Sequence, residues 1–104
     1  MIYISGQITD RKNYRDVFNA AEQYLIETQN KHSIYGTSKI INPAKVSDAL
    51  PQMEYREYLD VAFYLLSMCD MIYMLKGWEK SPGARAEHEY ASATGMRIIY
   101  SRKF

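Results

Sequence analysis

Short apolar runs alternate with longer amphipathic segments along the chain. The runs, each ended by a glycine, a proline or a polar residue, lie within 1–5, 39–42, 71–75 and 97–100. Uninterrupted runs of this length are typical of parallel strands that are buried on both faces. Between the runs the sequence predicts helices over about 13–29, from 55 to just before 70, and over 82–95. It also predicts a turn at 31–37 and an irregular loop at 44–53.

The order of these elements, strand-helix-strand-helix-strand-helix-strand, predicts a single α/β domain over residues 1–104. Alternation with short connections favours a parallel sheet with helices on both faces, so we expect a three-layer, doubly wound, flavodoxin-like fold with strand order 2-1-3-4. Such sheets bind ligands outside the carboxyl ends of the strands, where the strand order reverses. That point lies between the first and third strands, where the loops 6–13 and 76–83 are expected to meet.

The third predicted helix has the clearest boundaries in the sequence. Ser81 suits the N-cap, Pro82 suits the first helical position and Gly95 suits the stop. On a wheel of 3.6 residues per turn, Ala84 and Ala91 share one narrow face with Gly95. These are small residues, so we expect this face to approach the sheet closely.

One carboxylate, Glu87, lies on the flank of that small-residue face, whereas Glu89 points to solvent. A carboxylate on the sheet side of a helix is costly unless it is hydrogen-bonded or used in chemistry. Spacing alone leaves two interpretations open. Either Glu87 lies at the margin and extends to solvent, or it belongs to a functional site. His88, at the other edge of the face, is predicted to pack.

Composition and charge narrow the classes of function. A formal charge of +1 gives no general attraction to polymeric nucleic acid or acidic membranes. No apolar run approaches the roughly 20 residues of a membrane span, and no basic segment with an apolar stretch opens the chain. A single cysteine, Cys69, cannot form an internal disulfide, which favours the cytoplasm. The ten tyrosines suggest stacking surfaces, a protein interface or amphipathic packing.

The sequence implies no metal and no cofactor. The two histidines, His32 and His88, lack partners at the spacing of metal ligands. The first turn lacks the glycine-rich dinucleotide fingerprint, so no redox cofactor is expected.

Several motifs together resemble the nucleoside 2-deoxyribosyltransferase superfamily. They are Met-Ile-Tyr-Ile-Ser-Gly-Gln-Ile-Thr at 1–9, Asn-Pro at 42–43, Cys-Asp at 69–70, Gly-Trp-Glu at 77–79, Ser-Pro-Gly-Ala-Arg-Ala-Glu at 81–87, Ala91 and Gly95. Within that superfamily the chain is similar to short bacterial and phage proteins of unassigned function, and to the 2′-deoxynucleoside 5′-phosphate N-hydrolases. The resemblance covers nearly the whole chain, and 81–87 is its most specific part.

The resemblance implies roles for individual residues. Glu87 matches the glutamate that attacks the anomeric carbon of deoxyribose and forms a glycosyl-enzyme intermediate. Tyr3 matches the tyrosine whose hydroxyl orients that carboxylate; without the resemblance, a core aromatic residue is an equally good interpretation. Ser81 matches the serine that binds a 5′-phosphate, a role compatible with an N-cap, and Gly83 would let the backbone approach that phosphate.

The resemblance also assigns a loop and a pocket wall. Gly6, Gln7 and Ile8 match the loop that borders the base and the sugar, and Asn42 and Trp78 are further candidates for the wall. One position departs from the pattern. The family places an aspartate eight residues before the position of Asp70, and this chain has Ala62 there. Asp60 lies roughly 200° away around the helix and cannot substitute for it.

We therefore expect a nucleotide-binding protein that resembles enzymes cleaving or transferring the N-glycosidic bond of 2′-deoxynucleosides or their 5′-monophosphates. The alternative, which Ala62 keeps open, is a non-catalytic nucleotide-binding or sensing module on the same scaffold. A third interpretation, a structural protein using its tyrosines at an interface, is disfavoured by the set Tyr3, Ser81 and Glu87. Arg11 and Lys12 are expected to face the phosphate.

We also expect a homo-oligomer that acts on a small-molecule nucleotide and binds neither polymeric nucleic acid nor membranes. A four-stranded sheet this short buries little core, and the helix around Tyr55, Tyr58 and Phe63 offers aromatic surface.

Overall fold

The computed structural model describes residues 1–8, 11–32 and 38–104. The strands are β1 (Ile2–Ser5), β2 (Ile40–Ile41), β3 (Met71–Met74) and β4 (Arg97–Tyr100). The helices are α1 (Tyr14–His32), α2 (Pro43–Ala49), α3 (Tyr55–Ser67) and α4 (Pro82–Ala93), and a 3-10 turn (Trp78–Lys80) precedes α4. The turn predicted at 31–37 is wrong at its start, because α1 continues through 31–32. Its remainder, 33–37, and residues 9–10 of the first loop lie outside the described residues.

The four strands form one parallel sheet in the order β2-β1-β3-β4. Tyr3 of β1 lies beside Ile41 of β2 and Ile72 of β3, so β1 is a central strand. The predicted α/β class, the strand order and the flavodoxin-like three-layer arrangement are confirmed. The order reverses between β1 and β3, which leaves a crevice beyond their carboxyl ends.

Each face of the sheet has its own apolar core, because successive side chains of a strand point to opposite faces. Ile2 and Ile4 point to one side, where Phe18 and Leu25 of α1 pack against them. On the other side, Tyr3 packs with residues of α3 and α4. The buried members of that second core are Tyr3, Leu66, Cys69, Ile72, Met74, Ala84 and Ala91.

The predicted irregular loop at 44–53 is partly wrong, because Pro43–Ala49 forms α2. The Asn42 side chain accepts a hydrogen bond from the backbone N–H of Ala44 at 3.0 Å and so caps the helix. Proline occupies the first helical turn, where the missing N–H costs nothing. The step at Asn42 and Pro43, interpreted as the end of a strand, is therefore also the start of a helix.

The prediction that β4 is buried on both faces is wrong. Arg97 and Tyr100 are exposed and Ile98 and Ile99 are half-buried, because β4 is an edge strand. The other edge, β2, is only two residues long.

The boundaries predicted for α4 are confirmed. The Ser81 side chain accepts from the N–H of Ala84 at 3.2 Å, Pro82 begins the helix, and Gly95 follows it with φ of 73°. A positive φ is a conformation that glycine adopts without a steric penalty, so Gly95 suits this stop. Among the described residues, no helix is long and apolar enough to cross a membrane.

Candidate functional site

A cleft of about 360 Å³ lies at the carboxyl end of β1, at the reversal of strand order. Residues from both sides of the sheet line it. On its floor are Tyr3, Ile4, Gly6 and Ile8; one wall carries Tyr14, Arg15, Phe18, Pro43, Ser47 and Asp48, and the other carries Tyr55, Tyr58, Leu59, Ala62, Ser81, Gly83, Ala84 and Glu87. Among the predicted site residues, the cleft therefore brings together Tyr3, Gly6, Ile8, Ser81, Gly83 and Glu87.

The carboxylate of Glu87 is buried in the wall of this cleft, with 7% of the residue exposed. Tyr3 Oη donates to Glu87 Oε2 at 2.5 Å, and Ser5 Oγ donates to Glu87 Oε1 at 2.7 Å. Tyr3 and Ser5 are two positions apart on β1 and therefore share one face of the strand. Both carboxylate oxygens thus have a buried donor, and the interpretation in which Glu87 extends to solvent is wrong.

Burial raises the pKa of Glu87, and the hydrogen bonds from Tyr3 and Ser5 act in the opposite direction because they favour the charged form. Burial, and then the charge of Glu87, also raise the pKa of Tyr3 well above its ordinary value. The phenol therefore keeps its proton and remains a donor. A buried carboxylate with a raised pKa in a cleft is a candidate for a functional group.

Ser5 is not among the predicted site residues. The available signal was the alternation along β1, which places Ser5 on the same face as Tyr3. The contact itself joins residues 82 positions apart, and no local pattern encodes that separation.

The start of α4 forms one end of the cleft. There the backbone of Gly83 lies near two hydroxyl groups, those of Tyr55 and Ser81. A Cβ atom on Gly83 would lie 3.3 Å from Tyr55 Oη and 3.9 Å from Ser81 Oγ. Glycine at this position therefore leaves room between the backbone and two hydroxyl groups. Tyr55 itself is 58% exposed, so its ring is not held by the core.

The opposite wall carries an ion pair that sequence analysis did not predict. Arg15 Nε lies 3.0 Å from Asp48 Oδ1, and Arg15 Nη2 lies 2.8 Å from the same oxygen. Hydrogen bonding to Arg15 lowers the pKa of Asp48. The predicted cations, Arg11 and Lys12, are not among the described residues that line the cleft. Arg15, by contrast, does line it.

Gly6 has a structural role in addition to its place on the cleft floor. A Cβ atom there would lie 2.9 Å from two side-chain atoms of Leu75, which is fully buried. Gln7, between Gly6 and Ile8, is half-buried and is not among the lining residues.

Asn42 and Trp78, the further candidates for the pocket wall, do not line the cleft. Asn42 caps α2, and its Nδ2 donates to Asn19 Oδ1 and Glu22 Oε1 at 2.9 Å each. Trp78 stacks on His88 with ring centroids 4.2 Å apart, in agreement with the packing expected for His88.

Ala62 lines the cleft. Asp60 is exposed and is not among the lining residues. Within the part of the chain that the structure describes, no group of three or more histidine, cysteine, aspartate or glutamate residues is placed to hold a metal ion.

Comparison with known proteins gives one family match. The model of a domain of unknown function, DUF4406, matches residues 1–100. No curated protein matches the chain, and no solved structure does. Because the match spans nearly all 104 residues, this chain belongs to the DUF4406 family.

Proposed function

We propose that this chain binds a 2′-deoxynucleoside 5′-monophosphate in the cleft and cleaves or transfers its N-glycosidic bond through Glu87. The observation that carries the proposal is the buried carboxylate, held at both oxygens by Tyr3 and Ser5 in the cleft wall. Burial of a hydrogen-bonded carboxylate is a poor source of stability, because apolar residues of similar volume often serve as well. Its position beside a cleft favours a chemical role.

The proposed reaction needs a carboxylate close to the anomeric carbon. An oxygen of Glu87 attacks C1′, the C1′–N bond breaks, and the base leaves with the electron pair and takes a proton from water. Water then attacks C1′ of the glycosyl ester, the ester C1′–O bond breaks, and the proton that this water loses neutralises the hydroxide left when the base was protonated. The sugar phosphate is released and the carboxylate is restored. In a transfer, a nitrogen of a second base attacks C1′ instead and loses its proton to that hydroxide. The transition state resembles an oxocarbenium ion, which a negative charge stabilises.

The other end of the ligand is assigned to the start of α4. The N–H groups and the dipole of a helix favour an anion at the N-terminus. Ser81 and Gly83 line the cleft there, and Tyr55 Oη is nearby. These groups support the assignment of the 5′-phosphate to this end, with the deoxyribose beside Glu87.

A second candidate function is a non-catalytic nucleotide-binding or sensing module. It is favoured by Ala62, an apolar residue in the cleft wall at the position where the resembling family has an aspartate. No described carboxyl group takes the place of the missing aspartate. Asp60 is exposed, and the pKa of Asp48 is lowered by its bond to Arg15, so Asp48 does not hold a proton near neutral pH. Help for the leaving base would then come from solvent, which lowers turnover.

One experiment separates the two candidates. Base release from each of the four deoxynucleoside monophosphates is followed by chromatography, and binding is followed by calorimetry, for the wild type, Glu87→Ala and the exposed-site control Glu89→Ala. We expect the wild type and Glu89→Ala to release base, and Glu87→Ala to release none while keeping most of its affinity. Binding without release in the wild type identifies the sensing module. Absence of binding contradicts both candidates.

We further propose that the chain works as a homo-oligomer in the cytoplasm. Exposed aromatic residues on α3 support the assembly: Tyr55 is 58% exposed and Tyr64 is 68% exposed. Phe63, which the sequence placed on this surface, instead packs against Tyr90 with ring centroids 5.9 Å apart.

A further inference from the structure

Ser5 is unusual among the residues of β1. The strand reads Ile-Tyr-Ile-Ser, all four residues are buried, and Ser5 is 1% exposed. A buried hydroxyl costs free energy unless it is hydrogen-bonded, and a central parallel strand ordinarily carries apolar residues at such positions. Its hydroxyl donates to Glu87 Oε1 at 2.7 Å. The hydrogen bond to Glu87 therefore accounts for a serine at this buried position.

The two donors act on different atoms of Glu87. Tyr3 binds Oε2 and Ser5 binds Oε1, and both donors belong to one strand. Two fixed donors on one rigid element restrain both the position of the carboxylate and the orientation of its plane. The remaining lone pairs of the oxygens are then available toward the cleft that Glu87 lines.

We propose that Ser5 is a positioning residue of the site, which holds Glu87 Oε1 and fixes the orientation of the carboxylate toward the cleft, while its hydrogen bond favours the charged form. The catalytic part of this inference rests on the proposed function. Its physical part, the effect of Ser5 on Glu87, does not depend on which ligand binds.

The surroundings of Glu87 explain why a second donor is needed. On α4, the neighbours of Glu87 along its own face are Ala84 and Ala91, which are apolar, and Leu59 and Ala62 of α3 line the same cleft. The carboxylate accepts hydrogen bonds from Tyr3 and Ser5 of β1. No ion pair of Glu87 occurs among the described residues, so charge neutralisation does not replace these bonds. Burial opposes ionisation, and the two hydroxyl donors favour it.

The test is a direct titration of the Glu87 side-chain carboxyl carbon by NMR in the wild type, Ser5→Ala and Ser5→Cys. The matched control is Ser92→Ala on α4, an exposed serine whose hydroxyl donates to the carbonyl of His88. Loss of a hydrogen bond to a charged group raises the pKa of the carboxyl by about one to two units. We expect that rise in Ser5→Ala, a smaller rise in Ser5→Cys because a thiol is a weaker donor, and none in Ser92→Ala.

The second measurement is the pH profile of base release. If Ser5 positions Glu87, the acidic limb of the profile moves to higher pH in Ser5→Ala. The size of this move equals the rise in the pKa of Glu87 that the NMR titration measures. A titration of Glu87 that is identical in the wild type and Ser5→Ala overturns the inference. If the titration shifts but the wild type releases no base at any pH, Ser5 still holds the carboxylate and it is the proposed reaction that is wrong.

Discussion

At the scale of single residues, Glu87 is placed where a carboxylate lowers the stability of the fold. Burial raises its pKa despite the bonds from Tyr3 and Ser5. The folded chain therefore binds the proton more tightly than the unfolded chain, in which the pKa is near the ordinary value of about 4.3. The stability associated with Glu87 is fully present below that pH and is lost as the pH rises through the folded-state pKa.

We therefore expect Glu87→Gln to be more stable than the wild type at neutral pH. The amide oxygen still accepts from Tyr3, and the amide nitrogen can donate to Ser5 Oγ, so the geometry is kept. The gain in the free energy of unfolding is about 1.4 kcal/mol for each unit by which the pKa of Glu87 is raised. Urea denaturation over a pH series measures it, with the exposed Glu89→Gln as the control. Equal stabilities of Glu87→Gln and the wild type at every pH would contradict this account.

At the scale of elements, the two glycines of the cleft have different functions. Gly6 permits β1 to approach β3, since a Cβ atom would lie 2.9 Å from atoms of the buried Leu75. Gly83 leaves space at the start of α4, beside the exposed side chain of Tyr55.

Gly6→Ala and Gly83→Ala form a matched pair. We expect Gly6→Ala to lower the free energy of unfolding by about 1–3 kcal/mol, because the core must shift around the new methyl group. Gly83→Ala should leave stability nearly unchanged, because Tyr55 can move, but should weaken binding of a deoxynucleoside monophosphate. Thermal denaturation and calorimetry check the two effects. A stable Gly6→Ala would show that Leu75 repacks without cost.

The start of α4 gives a second prediction at this scale. Ser81→Asp should preserve stability, because aspartate caps a helix as well as serine does. Its charge repels a phosphate, so affinity for a monophosphate should fall about ten- to a hundredfold, which corresponds to roughly 1.5–3 kcal/mol. Affinity for the free nucleoside should stay equal or improve. Titration of both proteins with one nucleoside and its monophosphate checks this, and an unchanged preference means that Ser81 only caps the helix.

At the scale of the whole molecule, the sheet is small and α3 keeps exposed apolar surface. Tyr55, Tyr64 and Met68 are 58%, 68% and 45% exposed, respectively. A domain of this length buries a smaller share of its surface than larger domains do. Tyr64 and Met68, four positions apart, share one side at the end of α3, and association there would cover them. Tyr55 lies about 180° away around the helix, on the side that lines the cleft.

We expect light scattering to show a homodimer at micromolar concentration. Tyr64→Glu should shift the population toward the monomer, because a charge placed in an apolar interface is costly to desolvate. Asp16→Lys, an exposed change on α1 in the opposite layer, is the control. A wild-type chain that is monomeric throughout this range would contradict the assembly.

The sequence by itself determined the features that depend on residues close together along the chain, such as the strands and the ends of a helix. The apolar runs predicted the strands, and Ser81, Pro82 and Gly95 predicted the limits of α4, because caps and periodicity act within a few residues. The alternation of elements predicted the order β2-β1-β3-β4. The helix α2 also had a local signal, the cap at Asn42, which sequence analysis assigned to the end of a strand.

Only the tertiary structure decided the environment of each side chain. Spacing placed Glu87 at the edge of a helix face and could not choose between solvent and core; the packing of α4 on β1 buried it against Tyr3 and Ser5. The pair of Arg15 and Asp48 joins α1 to α2 across 33 positions. The pKa of a carboxyl group depends on burial and on its partners, and both come from parts of the chain that only folding brings together.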